Sequence, residues 1–269
     1  MNWEVSKISI PVFDLEASIK FYNFILGNDM ETKINDVDTL DEYFICGGNI
    51  ELRLYKLKNE LSNIYISQSR RTYPTLAIND FDLIIKGLKK DDINYCINEY
   101  NKSIIIQEPG LNYIELINLE TSKKHSNREE NKKWNFHHVN LECYDVRSSV
   151  NFVSQYLKMK EGTWKAPIEL GKVNIKPNQL AIFNLNDNHS GIHINKADFT
   201  FSWRNNFMHN PTIGGHPAFN VKDIKLFIKK LKSYDIAVTD AKIYAMPNIH
   251  QIYFFDPSAN IIEVNQNIN

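Results

Sequence analysis

The chain has 269 residues, 43% of them hydrophobic and 23% charged, which is ordinary for a globular protein with room for two domains or one large one. Its 31 basic and 32 acidic residues leave a net charge of −1, which gives no electrostatic reason to expect nucleic acid or an anionic membrane as the main partner. No stretch approaches the roughly 20 apolar residues of a membrane span. Three scattered cysteines and the absence of an export signal predict a cytoplasmic protein.

The first half of the chain predicts two strand–helix units. Residues 4–13 alternate like a strand, and residues 14–26 carry apolar side chains at helical spacing after Asp14, which is well placed as an N-cap. A second strand and helix are predicted over 75–93. A turn and a strand over 107–117 then close this half.

The second half repeats this order after a charged connector at 120–133, whose composition is typical of an exposed linker. Asp145 aligns with Asp14, and the later strand–helix unit and final strand align with their earlier counterparts. The repeated elements are predicted at 136–144, 145–157, 218–236 and 255–265. The chain is therefore built from four related units, two in each half.

The histidines are confined to one side of this repeat. Seven of the eight lie between 137 and 250, the eighth is His125 in the connector, and residues 1–124 contain none. Metal-ligand side chains in only one copy of a duplicated fold predict a catalytic half joined to a structural one.

Strand alternation predicts which of these side chains share a face. Side chains two residues apart on a strand point the same way, so the polar His138 lies opposite the apolar Val139. The same test places His193, His216 and Glu263 on the polar faces of their strands. His137 is predicted to point to the opposite face from His138.

Two motifs resemble those of the vicinal oxygen chelate superfamily, which includes glyoxalase I, bleomycin-resistance proteins and extradiol ring-cleaving dioxygenases. They are D-[LV]-x-x-S-[IV]-x-F at 14–21 and 145–152, and D-P-x-x-N-x-I-E at 256–263. The resemblance implies an α+β fold of four βαβββ modules, forming two glyoxalase-like domains with cupped mixed sheets. It implies a degenerate domain at 1–120 and a metal-binding domain at 134–269, most like a two-domain extradiol dioxygenase.

The same resemblance implies that His138, His216 and Glu263 are the metal ligands. Two histidines and one carboxylate form the triad that suits non-haem Fe(II) and leaves coordination positions open. Fe(II) is the expected metal, with Mn(II), Zn(II) and Ni(II) as alternatives. In the first half, Lys7 and Tyr73 align with the two histidines while Glu115 aligns with Glu263, so no metal is expected there. Lys7 is expected to pair with Glu51 or Glu115.

Three further residues are catalytic candidates. The resemblance implies that Tyr253 hydrogen-bonds a substrate hydroxyl and that His189 or His193 transfers protons, as suits an imidazole. The repeat alignment pairs His193 with Glu51, which leaves open whether His193 is a fourth ligand. Tyr244 occupies the place of a histidine in the extradiol motif, and His250 is an alternative for it.

Three functions remain open from the sequence. The first is an extradiol-type dioxygenase acting on a small aromatic or vicinal diol. The second is a glyoxalase-type lyase or isomerase, and the third is a non-catalytic protein that binds a small molecule such as a drug. The same fold hosts all three, and a homo-oligomer is compatible with each.

Overall fold

The computed structural model describes residues 3–27, 31–33, 42–47, 50–57, 72–99, 102–120, 134–165, 176–185 and 189–268. These residues form two mixed sheets, one of eight strands from the first half and one of seven from the second. Residues 121–133 of the predicted connector lie outside the described residues. In the part of the chain just defined, every helix is too short or too polar to cross a lipid bilayer.

The first half contains eight strands and two helices among its described residues. In chain order they are β1 (Trp3–Val12), α1 (Leu15–Leu26), β2 (Glu31–Lys33), β3 (Glu42–Gly47), β4 (Ile50–Lys56), β5 (Tyr73–Ile78), α2 (Phe81–Lys90), β6 (Tyr95–Asn98), β7 (Ser103–Gln107) and β8 (Tyr113–Asn118). The strand order in the sheet is β2-β3-β4-β1-β5-β8-β7-β6.

The second half contains seven strands and three helices among its described residues. They are β9 (Trp134–Cys143), α3 (Val146–Tyr156), β10 (Leu180–Asn184), β11 (Gly191–Lys196), α4 (Phe201–Asn205), β12 (His216–Val221), α5 (Ile224–Lys232), β13 (Thr239–Ile243), β14 (Ile249–Phe255) and β15 (Ile261–Asn267). The strand order is β10-β11-β9-β12-β15-β14-β13.

The two sheets have the same plan. In the first, β1 and β5 are antiparallel neighbours, and each has a parallel partner on its other side, β4 and β8. In the second, β9 and β12 take the central places and β11 and β15 are their parallel partners. The predicted α+β architecture of tandem, paired modules is confirmed.

The helices form where apolar periodicity follows a capping aspartate. The carboxylate of Asp14 accepts a hydrogen bond from the amide of Ala17 at the start of α1, and Asp145 caps α3 in the same way. The apolar helix faces pack on the sheets, and one continuous apolar core runs through both halves. The polar side chains of the strands are left on the opposite, concave face.

Each half contributes an asparagine that is hydrogen-bonded to the other half. Nδ2 of Asn112, in the turn before β8, donates to the carbonyl of Glu142 at 2.7 Å. Nδ2 of Asn260, in the equivalent turn before β15, donates to the carbonyl of Pro11, also at 2.7 Å. The two contacts are related by the internal repeat. They form a reciprocal clamp between the halves, with Asn112 and Asn260 as its donors.

Candidate metal centre

Three side chains from three strands converge on the concave face of the second sheet. His138, His216 and Glu263 are at most 2% exposed, and each offers one ligand atom within 4.8 Å of the other two. Nε2 of His216 lies 3.1 Å from Oε2 of Glu263, and Nε2 of His138 lies 3.6 Å from the same oxygen. The three side chains thus point their donor atoms at one small volume.

Strand register explains this convergence. Ala218 on β12 is opposite His138 on β9 and also opposite Glu263 on β15. His216 precedes Ala218 by two residues and therefore shares its face. An alanine at the centre leaves room for the larger side chains around it.

A β-bulge shapes the first of these positions. The pairing of β9 with β12 shifts register at His137, and β1 shifts register with β5 at the equivalent Ser6. Alternation predicts His137 on the opposite face, but the bulge brings its Nδ1 within 2.7 Å of Nδ1 of His138, because a bulge re-aims side chains.

Neighbouring charges favour the ionised form of Glu263, and burial favours the neutral form of His216. Burial alone would raise the pKa of Glu263, but the His138 and His216 imidazoles hold that pKa well below its usual range. Burial lowers the pKa of His216, and its Nδ1 has no protein partner among the described residues. An ionised carboxylate and a neutral imidazole are the states that bind a divalent cation.

Tyr253 is adjacent to this group. Its ring meets the ring of His216 edge to face at 5.9 Å. Burial raises the pKa of Tyr253 well above its ordinary value, and the negative charge of Glu263 adds to this. The hydroxyl therefore keeps its proton and acts as a neutral hydrogen-bonding group. Gln251, which the sequence did not single out, contacts both Tyr253 and Glu263.

The structure brings His193, but not His189, to the wall of the site. The His193 ring stacks on the His138 ring with centroids 3.8 Å apart, and its Nε2 lies 2.7 Å from the carbonyl of His189. Burial lowers the pKa of His193 well below its ordinary value. Nε2 of His189 accepts a hydrogen bond from the amide of Lys165, and His189 is not among the described residues that line the cavity. Its role here is therefore structural.

The predicted pairing of His193 with Glu51 is wrong. Gly191 is the residue opposite His138, as Glu51 is opposite Lys7, so the counterpart of His193 is Arg53. Polar residues in the two strands align two residues away from the true register. His193 therefore has no counterpart relation to Glu51, and the ligand atoms of His138, His216 and Glu263 converge without it among the described residues.

A cavity of about 840 Å³ opens from this centre. His138, His193, Tyr253, Gln251 and Glu263 lie on its wall. Aromatic, apolar and polar side chains complete the lining, among them Trp164, Leu180, Phe199, Phe201, Tyr244, Met246, Asn140, Asn195, Thr200, Arg204 and Thr212. Its size suits a small organic molecule with an aromatic ring.

Two other histidines have structural contacts elsewhere. Nε2 of His250 lies 2.7 Å from the carboxylate of Asp240 across the outer pair of strands, and His250 is not among the described residues that line the cavity. Nδ1 of His209 lies 2.7 Å from the hydroxyl of Thr239. His250 therefore does not replace the motif histidine. The hydroxyl at that place, on Tyr244, instead donates to Asn205 at the rim.

In the first half, protein cations occupy the equivalent face. Nζ of Lys7 lies 3.0 Å from Oε2 of Glu115. This is one of the two pairings predicted for Lys7. The Tyr73 hydroxyl accepts a hydrogen bond from Nη1 of Arg53 at 2.8 Å. Burial alone would raise the pKa of Glu115, but Lys7 and two hydroxyl donors lower it. An ammonium group here neutralises the carboxylate.

Sequence comparison alone finds no relatives: no family model matches the chain, and no curated protein matches it. Solved structures do match. The Mn(II)-bound glyoxalase from Novosphingobium aromaticivorans has a TM-score of 0.67 at 13% identity, over 99% of this chain and 82% of that one. A catechol 2,3-dioxygenase has a TM-score of 0.65 at 13% identity, over 98% and 93%. Homoprotocatechuate 2,3-dioxygenase from Arthrobacter globiformis has a TM-score of 0.65 at 12% identity, over 97% and 79%.

These matches cover nearly the whole chain, at identities that carry information about the fold alone. Glyoxalase and extradiol dioxygenases are both represented, in agreement with the motifs at 14–21, 145–152 and 256–263. The chain shares the vicinal oxygen chelate fold of these glyoxalase and extradiol dioxygenase structures and forms two mixed sheets.

Proposed function

We propose that this protein is a metal-dependent enzyme of the extradiol type, which cleaves the ring of a catechol-like vicinal diol with O₂. The proposal assigns residues 134–269 as the metal-binding domain and 1–120 as a domain without metal. The observation that carries it is the convergence of His138, His216 and Glu263 at the base of a cavity with aromatic walls.

The donor set fits a divalent metal ion. Two imidazole nitrogens and one carboxylate oxygen lie within 4.8 Å of one another, and these are donor types that divalent transition-metal ions accept. When bound, Fe(II), or Mn(II) as an alternative, would supply the Lewis-acid and redox centre at which a vicinal diol and O₂ react. A convergence of three protein ligands, without His193 in the group, favours an open centre over a four-ligand one.

The chain's own groups have defined parts in this proposal. A carbonyl can only accept, so Nε2 of His193 carries the ring proton in its bond to His189, and Nδ1 is left with the lone pair. Nδ1 of His193 is thus the atom that can take a proton from a substrate hydroxyl. Tyr253 keeps its hydroxyl proton and orients a substrate oxygen. Trp164 and Phe201 line the cavity and limit the access of water.

The test combines metal content with ring-cleavage activity. Protein purified without chelator should contain about one divalent ion per chain, and the iron-loaded protein should convert one or more of a panel of catechols under air into a yellow product. His216→Ala should lose the ion, whereas His250→Ala, which removes a histidine outside the cavity, should retain it. Iron-loaded protein that yields no product and consumes no O₂ across the panel would exclude ring cleavage.

The second candidate is isomerase or lyase chemistry of the glyoxalase type. Tyr244 replaces a histidine of the extradiol motif, and a Mn(II)-bound glyoxalase is among the similar structures. This candidate requires no oxygen. Turnover of a thiol adduct of an α-ketoaldehyde under argon, with no reaction of catechols under air, would select it. Tight binding of small aromatics without turnover in either assay would instead indicate a binding protein.

A further inference from the structure

We infer that Gln251 is a positioning residue, which holds one oxygen of Glu263 away from the metal site and fixes the hydroxyl of Tyr253 on the cavity wall. This inference rests on the proposed function, because it concerns how the same site is kept in order. Gln251 is only 2% exposed and lies on β14, two residues before Tyr253.

The orientation of the Gln251 amide is set by its surroundings. Its Oε1 accepts a hydrogen bond from the backbone amide of Ala245 at 3.0 Å. A backbone N–H can only donate, so the oxygen must face Ala245 and the NH₂ group must face the opposite way. That NH₂ group donates to Oε1 of Glu263 at 3.0 Å and to the Tyr253 hydroxyl at 3.2 Å. Both N–H donors and one lone pair of the carbonyl oxygen are thereby used.

The first consequence concerns the carboxylate. Oε2 of Glu263 faces His138 and His216, while Oε1 is held by Gln251. The two oxygens of the carboxylate thus have different partners, and only Oε2 faces the place between the imidazoles where a cation would bind. A carboxylate restricted to one ligand oxygen keeps more positions free for a chelating diol. Hydrogen-bonded partners of this kind set the orientation of metal ligands in general.

The second consequence concerns Tyr253. The Gln251 NH₂ group donates to the Tyr253 oxygen at 3.2 Å, and the Tyr253 hydroxyl also interacts with the Glu263 carboxylate. Tyr253, Gln251 and Glu263 all line the cavity. Gln251 therefore fixes the Tyr253 hydroxyl in one hydrogen-bonded group with Glu263, at the wall where a substrate oxygen would bind.

The experiment measures metal and ligand binding without turnover. Gln251→Met keeps the volume but removes the amide, and Mn(II) affinity is measured by electron paramagnetic resonance of the free ion. We expect Mn(II) to bind about 10- to 100-fold more weakly, as is typical when the partner of a metal ligand is lost. At saturating Mn(II) under argon, 4-nitrocatechol, followed by its visible absorption, should bind about 3- to 10-fold more weakly.

The controls separate positioning from folding. Gln266→Met changes a glutamine on β15 whose side chain accepts from the amide of Ile224, and it should leave Mn(II) affinity within about 3-fold of wild type. Tyr253→Phe should weaken 4-nitrocatechol binding, because it removes only the hydroxyl. Gln251→Leu, with a smaller side chain, repeats the measurement if the Met variant is insoluble.

The outcomes distinguish the two proposals. A Gln251→Met protein that binds Mn(II) as tightly as wild type overturns the inference and leaves the proposed function standing. If the wild-type protein binds no Mn(II), Fe(II) or other divalent ion, both proposals fail. If Gln251→Met weakens the binding of Mn(II) and of 4-nitrocatechol while Gln266→Met does not, the inference holds. This result does not depend on whether the diol is subsequently cleaved.

Discussion

The ion pair between Lys7 and Glu115 yields a quantitative prediction about the half without histidines. The two charges are 3.0 Å apart, and their side chains are 12% and 2% exposed. Lys7→Met removes this cation and leaves the carboxylate buried, with the hydroxyls of Thr75 and Ser103 as its remaining donors among the described residues and the charge of Arg53 nearby. Breaking a buried pair in this way costs about 3–5 kcal/mol, and the two remaining donors bring the expected loss to about 3 kcal/mol.

The assay is urea denaturation followed by circular dichroism, with a thermal melt alongside. The urea midpoint should fall at an unchanged slope, and the melting temperature should fall by about 6–12 °C, at roughly 2–4 °C per kcal/mol for a protein of this size. The control is Lys20→Ala, which breaks the exposed pair with Glu16 on α1 and should change little because water screens both charges.

The pH dependence follows from the lowered pKa of Glu115. A carboxylate whose pKa is lower in the folded state contributes stability above its unfolded pKa, and that stability is lost as the pH falls through the folded pKa. The difference in free energy of unfolding between wild type and Lys7→Met should therefore have its full size at about pH 7. It should shrink as the pH falls below 4.5, the ordinary pKa of a glutamate. If Lys7→Met is as stable as Lys20→Ala near neutral pH, the reasoning about this pair is refuted.

Three further substitutions test the packing, each by urea denaturation against wild type. Gly87→Ala in α2 should stabilise by about 0.5–1 kcal/mol, because an added Cβ meets nothing within 4 Å and alanine favours a helix; a loss would contradict this. Gly110→Ala should destabilise by about 1–3 kcal/mol, because its Cβ would lie 2.7 Å from Cβ of Cys143 in the other half; unchanged stability would show that the turn can yield. Tyr22→Phe should cost about 1–2 kcal/mol, since its hydroxyl donates to the buried Asp256 at 3.0 Å; a neutral result would mean that water replaces it.

Much of the fold and of the candidate site could be predicted from the sequence, because repeats and alternation are properties of neighbouring residues. Alternation assigned His138, His216 and Glu263 to the polar faces of their strands, and the repeat placed those strands in one sheet. The capping aspartates Asp14 and Asp145 marked where two helices begin. These features depend on spacing along the chain, which a single sequence contains.

The remaining features depend on pairing between strands, which spacing does not specify. The bulge at His137 adds one residue to β9, so the side chain next to His138 does not follow alternation. The correspondence of Glu51 with Gly191, and not with His193, can be read only from the register of β4 and β11. Gln251 looks like any polar strand residue until its contacts with Tyr253 and Glu263 are known.

The reciprocal clamp has an evolutionary consequence. One half contains both the carbonyl before its first helix and the asparagine of its final turn, so two identical copies could join about a two-fold axis through two equal contacts. Such an isologous homodimer, fused end to end, has the plan of the present chain. After fusion, mutation could act on each copy separately. One lineage could then lose its histidines while its interface continued to support the other.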